Sequence, residues 1–483
     1  MRELLAAIAK TAGGSAAAML AAAVAVKIIA VVAGTEGVGL FSILRQAQQT
    51  AVLLALLNGQ NALVQGIASR ADEQERRTYI NTAMGIVAIL TAIVVGVLAV
   101  APALLLRGLR VEAGVARVLA LSVACGALSG FAAGILTGHR LIGRAAAVTV
   151  VNYVLVAAFA LPAARAALRG HAAAFSWQLA AGTAAAAAFA WTAVVAARLT
   201  RLERPRWSPQ VRAAARHFLG MASTLTIAAA AGYGLPLLMR MLIVRHFGFS
   251  GAGLFDVAWT LSMTYVMLIL TGFSAYYLPA LSGIRDPAER IELIGRVLRL
   301  AVILMLPLVT LVVVAKPLLV RLLYSEQFLP SLRIMRWMLI GDALKIVSWV
   351  FSYTMVAYAD NRMYAATELI WGALAVGSVY LAVHSAHSLE LIGVSFLVLY
   401  AAYLVLMSWY VRRRHAFPLR LGARGVAAAL AVIVAASLVT WNDVAMRWPF
   451  AIGAVLAAAA VSTLLLSADE RNAALRWLRL RAA

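Results

Sequence analysis

Apolar stretches of about twenty residues or more, each long enough to cross the hydrocarbon core of a bilayer as a helix, follow one another along almost the whole chain. Hydrophobic residues make up 64% of the chain, charged residues 13%, and the mean hydropathy is +0.91. A water-soluble globular protein does not have this composition. Unbroken runs rich in Leu and Ala also do not fit the short alternating strands of a barrel. The sequence therefore predicts an all-α polytopic membrane protein.

About fourteen transmembrane helices are expected when roughly 20 residues are required for each crossing. The first span is expected to stay in the mature protein, because it is longer than the core of a signal peptide and no convincing cleavage site follows it. The expected spans are about 8–33, 38–67, 79–101, 114–137, 146–168, 173–197, 217–245, 251–280, 297–323, 331–358, 363–384, 391–411, 424–441 and 448–467.

The chain contains an internal repeat. Segment 34–41 (GTEGVGLF) returns as segment 248–255 (GFSGAGLF), a shift of 214 residues from 34 to 248, and each copy lies between two long apolar runs. We therefore expect two six-helix lobes related by a pseudo-two-fold axis along the membrane normal. The expected division is 1–197 for the N-terminal lobe, 198–216 for a basic cytoplasmic interlobe linker, 217–411 for the C-terminal lobe, and 412–483 for an extra helix pair with a basic amphipathic tail. Glycine in the repeated turns is most simply a tight-turn requirement.

The net charge of +23 is explained by topology rather than by nucleic acid binding. Lys and Arg concentrate in alternate connections, as in 70–77, 198–216 and 412–424, whereas the connections between them hold few. The positive-inside rule makes the rich side cytoplasmic, with both termini inside. The single cysteine, Cys125, excludes an intrachain disulfide and a cysteine-based metal cluster.

Three cations lie deep in the predicted spans: Lys27, Arg45 and Arg240. A charge in the membrane costs roughly 2.5–3.5 kcal/mol, so each requires snorkelling, pairing or a wet cavity. The repeat places the counterpart of Lys27 at 241, one residue from Arg240, so we expect the two cations to face each other between the lobes. The second span carries many amides, among them Gln49, Asn58 and Asn61, which indicates a wet or protein-buried face.

The tenth span holds Asp342 and Lys345, three residues apart and therefore on one face of a helix. They either neutralise each other, or Asp342 holds a cavity cation or takes up a proton during transport. Asp256 and Glu368 are further acids within spans, and Glu368 lies near a span end, where Arg362 is a possible partner.

Capture of an anion is the chemistry that fits best, because the deep cations outnumber the deep acids. Arg presents forked donors that match phosphate geometry, and Lys contributes a point charge. A phosphate-containing head could pass through a wet cavity while a polyprenyl tail stays in lipid. The sequence shows no P-loop, zinc-protease signature or nucleophile elbow, so we expect no enzyme, catalytic residue, cofactor or metal site.

Several segments together resemble a known family. The turn 37–41, the run 57–61 (LNGQN), and segment 321–330 (RLLYSEQFLP) followed by 341–345 (GDALK) are similar to Wzx-type flippases, the polysaccharide-transport branch of the multidrug/oligosaccharidyl-lipid/polysaccharide exporter superfamily. The similarity covers roughly 5–415 and is nearest to members that carry the enterobacterial common antigen repeat unit. Such carriers usually have twelve core helices, so the final pair is a departure.

The resemblance implies an alternating-access carrier in the bacterial inner membrane that moves undecaprenyl-diphosphate-linked oligosaccharide to the periplasmic leaflet. A coupling ion, proton or sodium, and contact with polysaccharide polymerase machinery are implied partners. The candidate substrate residues are Lys27, Arg45, Arg240, Gln49, Asn58, Asn61 and Lys345, and the candidate coupling residues are Asp256, Asp342 and Glu368.

Two other functions stay open at this point. A drug or cation exporter of the same superfamily would require a dominant buried acid and few deep cations. A membrane-embedded glycan polymerase or ligase would normally carry a large periplasmic loop, and the connections predicted here are short.

Overall fold

Helices dominate the computed structural model, which describes residues 2–100, 112–200, 208–386 and 388–465. The described chain divides into two compact units, Met1–Gly253 and Leu254–Ala483. The centre of the predicted linker (201–207), the predicted tail (467–483) and the connection 101–111 lie outside the described residues. The division into lobes at 198–216 stays a prediction.

The first unit begins with a long helical segment, α1 (Arg2–Leu56). The further helices are α2 (Gln60–Ala68), α3 (Glu73–Val100), α4 (Ala113–Gly138), α5 (Ile142–Ala158), α6 (Ala160–Leu168), α7 (Ala173–Ala196) and α8 (Pro209–Gly283), which continues into the second unit. The apolar core of the first unit includes residues of α2, α3, α4 and the start of α8, where Tyr79, Phe131 and Phe218 are almost completely buried. Helix α1 packs against α3, α4, α5 and α6, and α4 packs along α7.

The further helices of the second unit are α9 (Pro287–Leu323), α10 (Leu332–Ala357), α11 (Asn361–Ala386), α12 (Leu389–His415), α13 (Arg420–Val439) and α14 (Trp448–Leu465), with a 3₁₀ turn (Glu326–Ser331) before α10. Helix α10 packs along α12, and α9 packs against α10 and against both helices of the final pair, α13 and α14. Helix α9 begins at Pro287 because the preceding Asp286 carboxylate accepts from the amides of Ala288 and Glu289, which caps the first turn.

A polar and aromatic cluster fixes the turn between α13 and α14 to the rest of the second unit. The Arg336 guanidinium pairs with Glu390 and lies 4.1 Å from the ring centroid of Trp441. Trp337 packs edge-on against Trp441, with ring centroids 4.8 Å apart, and donates to Glu390 at 2.9 Å. The final helix pair is therefore an integral part of this unit.

Both glycine-rich repeats break their helices in the same way. Gly34 has φ 63° and ψ −158°, and Gly248 has φ 67° and ψ −175°. This region of backbone space is essentially restricted to glycine, which confirms the tight-turn reading. A side-chain carbon at Gly39 would overlap the Phe249 carbonyl, and one at Gly253 would overlap that of Thr35. Glycine therefore allows the two turns to lie backbone to backbone within the first unit.

Two predicted spans are interrupted. The second was predicted to be continuous over 38–67, but α1 ends at Leu56 and Leu57 and Asn58 have positive φ values of 51° and 46°. The amides of Asn58 and Gly59 donate to carbonyls of the last turn, at 2.9 and 2.8 Å, so the break leaves these amides satisfied. The fifth, predicted over 146–168, is bent by 41° between α5 and α6.

Ten helices of the described residues are long and apolar enough to cross a membrane, or up to eleven when α5 and α6 form one span. The chain is therefore a multi-pass helical membrane protein. One of the ten, Gly13–Ala68, is 56 residues long and contains most of the first predicted span and all of the second. Helix α8 contains the seventh and eighth predicted spans. The total of about fourteen, the pseudo-two-fold relation of the lobes and the side on which the termini lie stay predictions.

The contact between the repeated turns can be tested by cross-linking. The Thr35 and Ser250 hydroxyl oxygens are 2.7 Å apart. In a Cys125→Ser chain, Thr35→Cys with Ser250→Cys is expected to form a disulfide in native membranes on mild oxidation, seen as a mobility shift that reductant reverses. Thr35→Cys with Ser208→Cys is the control, because about 60 Å of helix separates Ser208 from the turn. Equal cross-linking of both pairs, or of neither, would contradict the described packing.

Candidate substrate cavity

A cavity of about 300 Å³ lies within the first unit. It is formed between α1, helices α4, α5 and α7, and Tyr233 of α8. Both parts of α1, the one before Gly34 and the one after it, contribute to the lining. Its wall is part apolar, with Phe41, Leu53 and Val156, and part polar. The polar side chains that line it are Arg45, Gln48, Gln49, Asn58, Gln60, Ser129, Asn152, Tyr153, Thr183 and Tyr233. A wall of this kind can hold a polar head group beside apolar surface.

Arg45 is the cation that the described residues supply to this cavity. Its side chain is half-buried, and its guanidinium carbon lies 5.6 Å from the ring centroid of Phe41, one helical turn earlier. Gln48 and Gln49 follow within the next turn, so the guanidinium and the two side-chain amides lie on one face of the part of α1 that follows Gly34. A fork of N–H donors next to amides suits a phosphate attached to a sugar.

The break after α1 brings further polar groups to the cavity. Asn58 lies in the break and Gln60 begins α2, and both line the wall. Gly59 makes this possible, because a side-chain carbon there would collide with the Phe218 ring at 2.5 Å. Non-helical backbone at membrane depth is tolerated where it lines a cavity or is buried in protein. Interrupted transmembrane helices also mark binding sites in transporters.

Hydrogen bonds hold the polar wall in place. Gln48 donates its amide to the Ser122 hydroxyl of α4, and Thr183 of α7 donates to the Ser122 carbonyl at 3.2 Å. Gln46 and Thr50 both donate to the Tyr233 carbonyl, at 3.0 and 3.1 Å, which joins α1 to α8. The wall therefore depends on four helices rather than on one.

The structure brings together only part of the predicted substrate set. Arg45, Gln49 and Asn58 line the cavity. Lys27, Arg240 and Asn61 belong to the same unit but not to this lining: Lys27 is half-buried, Arg240 is 2% exposed and Asn61 is exposed. The Arg240 guanidinium donates to the Pro236 carbonyl at 3.4 Å, one turn earlier on α8. That Lys27 and Arg240 face each other stays a prediction.

Lys345 belongs to a separate charge cluster in the second unit. Its ammonium lies 3.9 Å from the Asp342 carboxylate, and both side chains are almost fully buried. Asp342 also accepts from the Ser262 hydroxyl at 2.8 Å and from the Tyr265 hydroxyl at 2.6 Å. The ammonium lies 5.1 Å from the centroid of the Tyr400 ring, which faces the charge. The predicted pairing on one face of a helix is present.

The two remaining acids differ in burial. Asp256, at the start of the second unit, is 2% exposed, whereas Glu368 of α11 is half-buried. Arg362, which the sequence offers as a partner for Glu368, lies in a groove with Asp360, Arg413 and Arg414.

Sequence reasoning missed Asn152, Tyr233 and Thr183 as cavity residues. Asn152 lies in the middle of an otherwise apolar span, and this was a usable signal, because an amide in hydrocarbon requires a partner or water. Its side-chain oxygen is buried and accepts no hydrogen bond in the described structure. Tyr233 and Thr183 carry no comparable signal, because their position depends on packing between distant helices.

The chain shares sequence with a known protein family. Residues 59–333 match the profile of a family described as polysaccharide biosynthesis protein. More than half of this multi-pass helical chain is matched, and the chain belongs to that family.

Similarity to individual proteins is more limited. The chain is 24% identical over 166 residues to the lipid III flippase of Escherichia coli (strain K12), which covers 34% of this chain and 39% of that protein. The lipid III flippase of Shigella flexneri matches to the same extent. The chain therefore matches well under half the length of these relatives.

Solved structures of transporters share the fold, and two of them show the extent of the likeness. An inward-facing multidrug resistance MATE family transporter of the MOP superfamily has a TM-score of 0.69 at 16% identity, over 83% of this chain and 94% of that chain. The lipid II flippase MurJ in an inward closed conformation has a TM-score of 0.66 at 9% identity, over 94% and 97%. At these identities the likeness establishes the fold alone.

The buried pair in the second unit gives a stability test. Asp342→Asn is expected to lower the free energy of unfolding by about 3–5 kcal/mol, because it leaves the Lys345 ammonium buried without its counter-charge. Lys345→Met is expected to cost a similar amount, and the double variant less than the sum. Denaturation in detergent micelles measures all three. The exposed pair Glu292 and Arg296, neutralised to Gln, is the control and should change stability by less than about 1 kcal/mol. Additive losses at 342 and 345 would show that the charges do not interact.

Proposed function

We propose that this protein is a flippase that moves an undecaprenyl-diphosphate-linked oligosaccharide, such as an O-antigen, common antigen or exopolysaccharide repeat unit, from the cytoplasmic to the periplasmic leaflet of the bacterial inner membrane. The observation that carries the proposal is Arg45 in an amide-lined cavity between membrane-spanning helices. Membership of a polysaccharide biosynthesis family and the partial likeness to lipid III flippases support the same substrate class. The family and these relatives favour transport over catalysis.

The cavity suits the diphosphate end of such a substrate. The Arg45 fork would bind phosphate oxygens through charge-assisted hydrogen bonds, and Gln49 and Asn58 would donate to and accept from the first sugar. A volume of about 300 Å³ is at the lower end for ligand pockets. It accommodates a head group and not a whole oligosaccharide together with a polyprenyl tail. The rest of the glycan would therefore occupy space that opens during alternating access, while the tail stays in lipid.

Lys27, Arg240 and Asn61 are proposed to contact the substrate at another stage of the cycle. Lys27 and Arg240 add positive charge to the unit that holds the cavity, so the head group could pass from one cation to another. Lys345 is proposed to act mainly through its ion pair with Asp342 in the second unit. A contact between Lys345 and the substrate is proposed only for another stage of the cycle.

Coupling to an ion gradient is proposed to use the acids of the second unit. Asp342 has an ammonium and two hydroxyl donors around it, so a change in its charge would alter every one of these contacts. Asp256 and Glu368 are further candidates, and the coupling ion would be a proton or sodium. Contact with polysaccharide polymerase machinery would follow from the biosynthetic role. Both termini are proposed to lie in the cytoplasm, as the distribution of Lys and Arg predicts.

A drug or cation exporter is the less favoured function. The charged side chain in the cavity wall is a guanidinium, which repels a cationic drug. The shared fold with multidrug transporters does not select the substrate, because one fold hosts many functions.

Charge removal at Arg45 tests the proposal. Arg45→Gln is expected to reduce translocation of undecaprenyl-diphosphate-linked glycan into proteoliposomes by about tenfold or more, because a charge-assisted bond to phosphate is lost. Arg45→Lys should retain part of the activity, since the charge remains without the fork. Arg117→Gln is the matched control, because Arg117 is exposed on α4 of the same unit and outside the cavity. Normal glycan translocation by Arg45→Gln, together with altered drug efflux, would favour the exporter instead.

A further inference from the structure

A second recess lies in the other unit, far along the chain from the substrate cavity. It is an open groove of about 560 Å³ between the first turns of α11 and the last turns of α12. Arg362, Arg413 and Arg414 line it together with Trp409, and Asp360 and Tyr410 form part of the wall. None of these residues takes part in the proposed transport chemistry.

The groove holds three exposed cations. Arg362, Arg413 and Arg414 are exposed and make no ion pair or side-chain hydrogen bond with the described chain. The carboxylate of Asp360 is already engaged, because it accepts from the Tyr410 hydroxyl at 2.9 Å and from the Met363 amide at 3.4 Å. Two exposed arginines elsewhere in the chain do pair with a carboxylate four residues earlier: Arg296 with Glu292 and Arg447 with Asp443.

The surroundings of the groove are those of a membrane interface. Trp409 is 52% exposed and precedes Arg413 by one helical turn. Tryptophan is enriched at the level of lipid head groups, and clustered Arg on the basic side of a span attracts anionic lipid. Two exposed valines, Val398 and Val405, continue the face of α12 that carries Trp409, at spacings of seven and four residues. An apolar stripe therefore leads away from the three guanidinium groups.

We infer that this groove binds the phosphate head group of an anionic phospholipid, with its acyl chains along the exposed stripe of α12. The guanidinium groups of Arg362, Arg413 and Arg414 would hold the phosphate, and Trp409 would pack against the glycerol region. The beginning of α11 adds the partial positive charge of a helix N-terminus to the same place. A phospholipid bound across α11 and α12 would tie the two helices together on the basic side of the unit. This inference does not depend on which substrate the protein transports.

Lipid retention measured on the full chain tests the assignment. The protein is reconstituted in nanodiscs of phosphatidylcholine with a fixed fraction of phosphatidylglycerol, extracted into mild detergent, and analysed by native mass spectrometry for bound phosphatidylglycerol. The triple variant Arg362→Gln, Arg413→Gln, Arg414→Gln is expected to retain roughly tenfold less than the unaltered protein, because three cation contacts are lost. The matched control is Arg412→Gln, Arg420→Gln, Arg424→Gln, which removes the same charge from exposed positions outside the groove. It should retain phosphatidylglycerol within about twofold.

Three results would overturn the inference. Equal loss in both triple variants would show that only total charge matters, and unchanged retention in both would show that the groove is not a site. If undecaprenyl diphosphate added to the nanodiscs displaces phosphatidylglycerol from the unaltered protein at equal concentration, the phosphate that belongs there is that of the carrier lipid. Thermal unfolding of each variant verifies folding, and Arg413→Gln alone is measured in the same way if the triple variant is unstable.

Discussion

Polar groups inside a membrane must be paired or hydrated, and this constraint shapes both units of the structure. In the first unit, an arginine and several amides meet in one cavity, where water or a ligand can satisfy them. In the second, Asp342 and Lys345 are almost fully buried and satisfy each other with the help of Ser262 and Tyr265. Burying a polar or charged group in the membrane is costly in both units. In the first unit the polar groups line a cavity, whereas in the second the charged groups are paired inside the protein.

The cavity wall and the contact between the repeated turns both include places where helices are interrupted. Gly34 and Gly248 adopt backbone angles that other residues rarely reach, and the adjoining turns pack backbone to backbone. The break at Leu57 and Asn58 separates α2 from α1 and leaves Asn58 in the cavity wall. A carrier that alternates between two conformations requires stiff helices joined at a few defined points. In the proposed carrier the interruptions would provide such points, and the cavity lies beside one of them.

The hydropathy pattern was sufficient to predict an all-α polytopic protein, and the glycine repeat correctly located two of its helix breaks. The break after Leu56 was not predicted, although Asn58-Gly59 is a recognised turn signal, because the apolar run on both sides of it is long enough to form one continuous span. Of the candidate substrate residues, Arg45, Gln49 and Asn58 line the cavity, and the sequence pointed to them because polar side chains in apolar spans are costly. Their role in substrate binding stays a prediction. Tyr233 and Thr183 could not be found in this way, since they reach the cavity only through contacts between distant helices.

The central claim is that the Arg45 cavity of the first unit receives the diphosphate of a lipid-linked glycan. The most direct measurement is a cryo-EM map of the protein in nanodiscs with an undecaprenyl-diphosphate-linked saccharide bound. The account predicts phosphate density within about 3 Å of the Arg45 guanidinium, with the first sugar next to Gln49 and Asn58. Phosphate density elsewhere, with the Arg45 cavity occupied only by water, would contradict it.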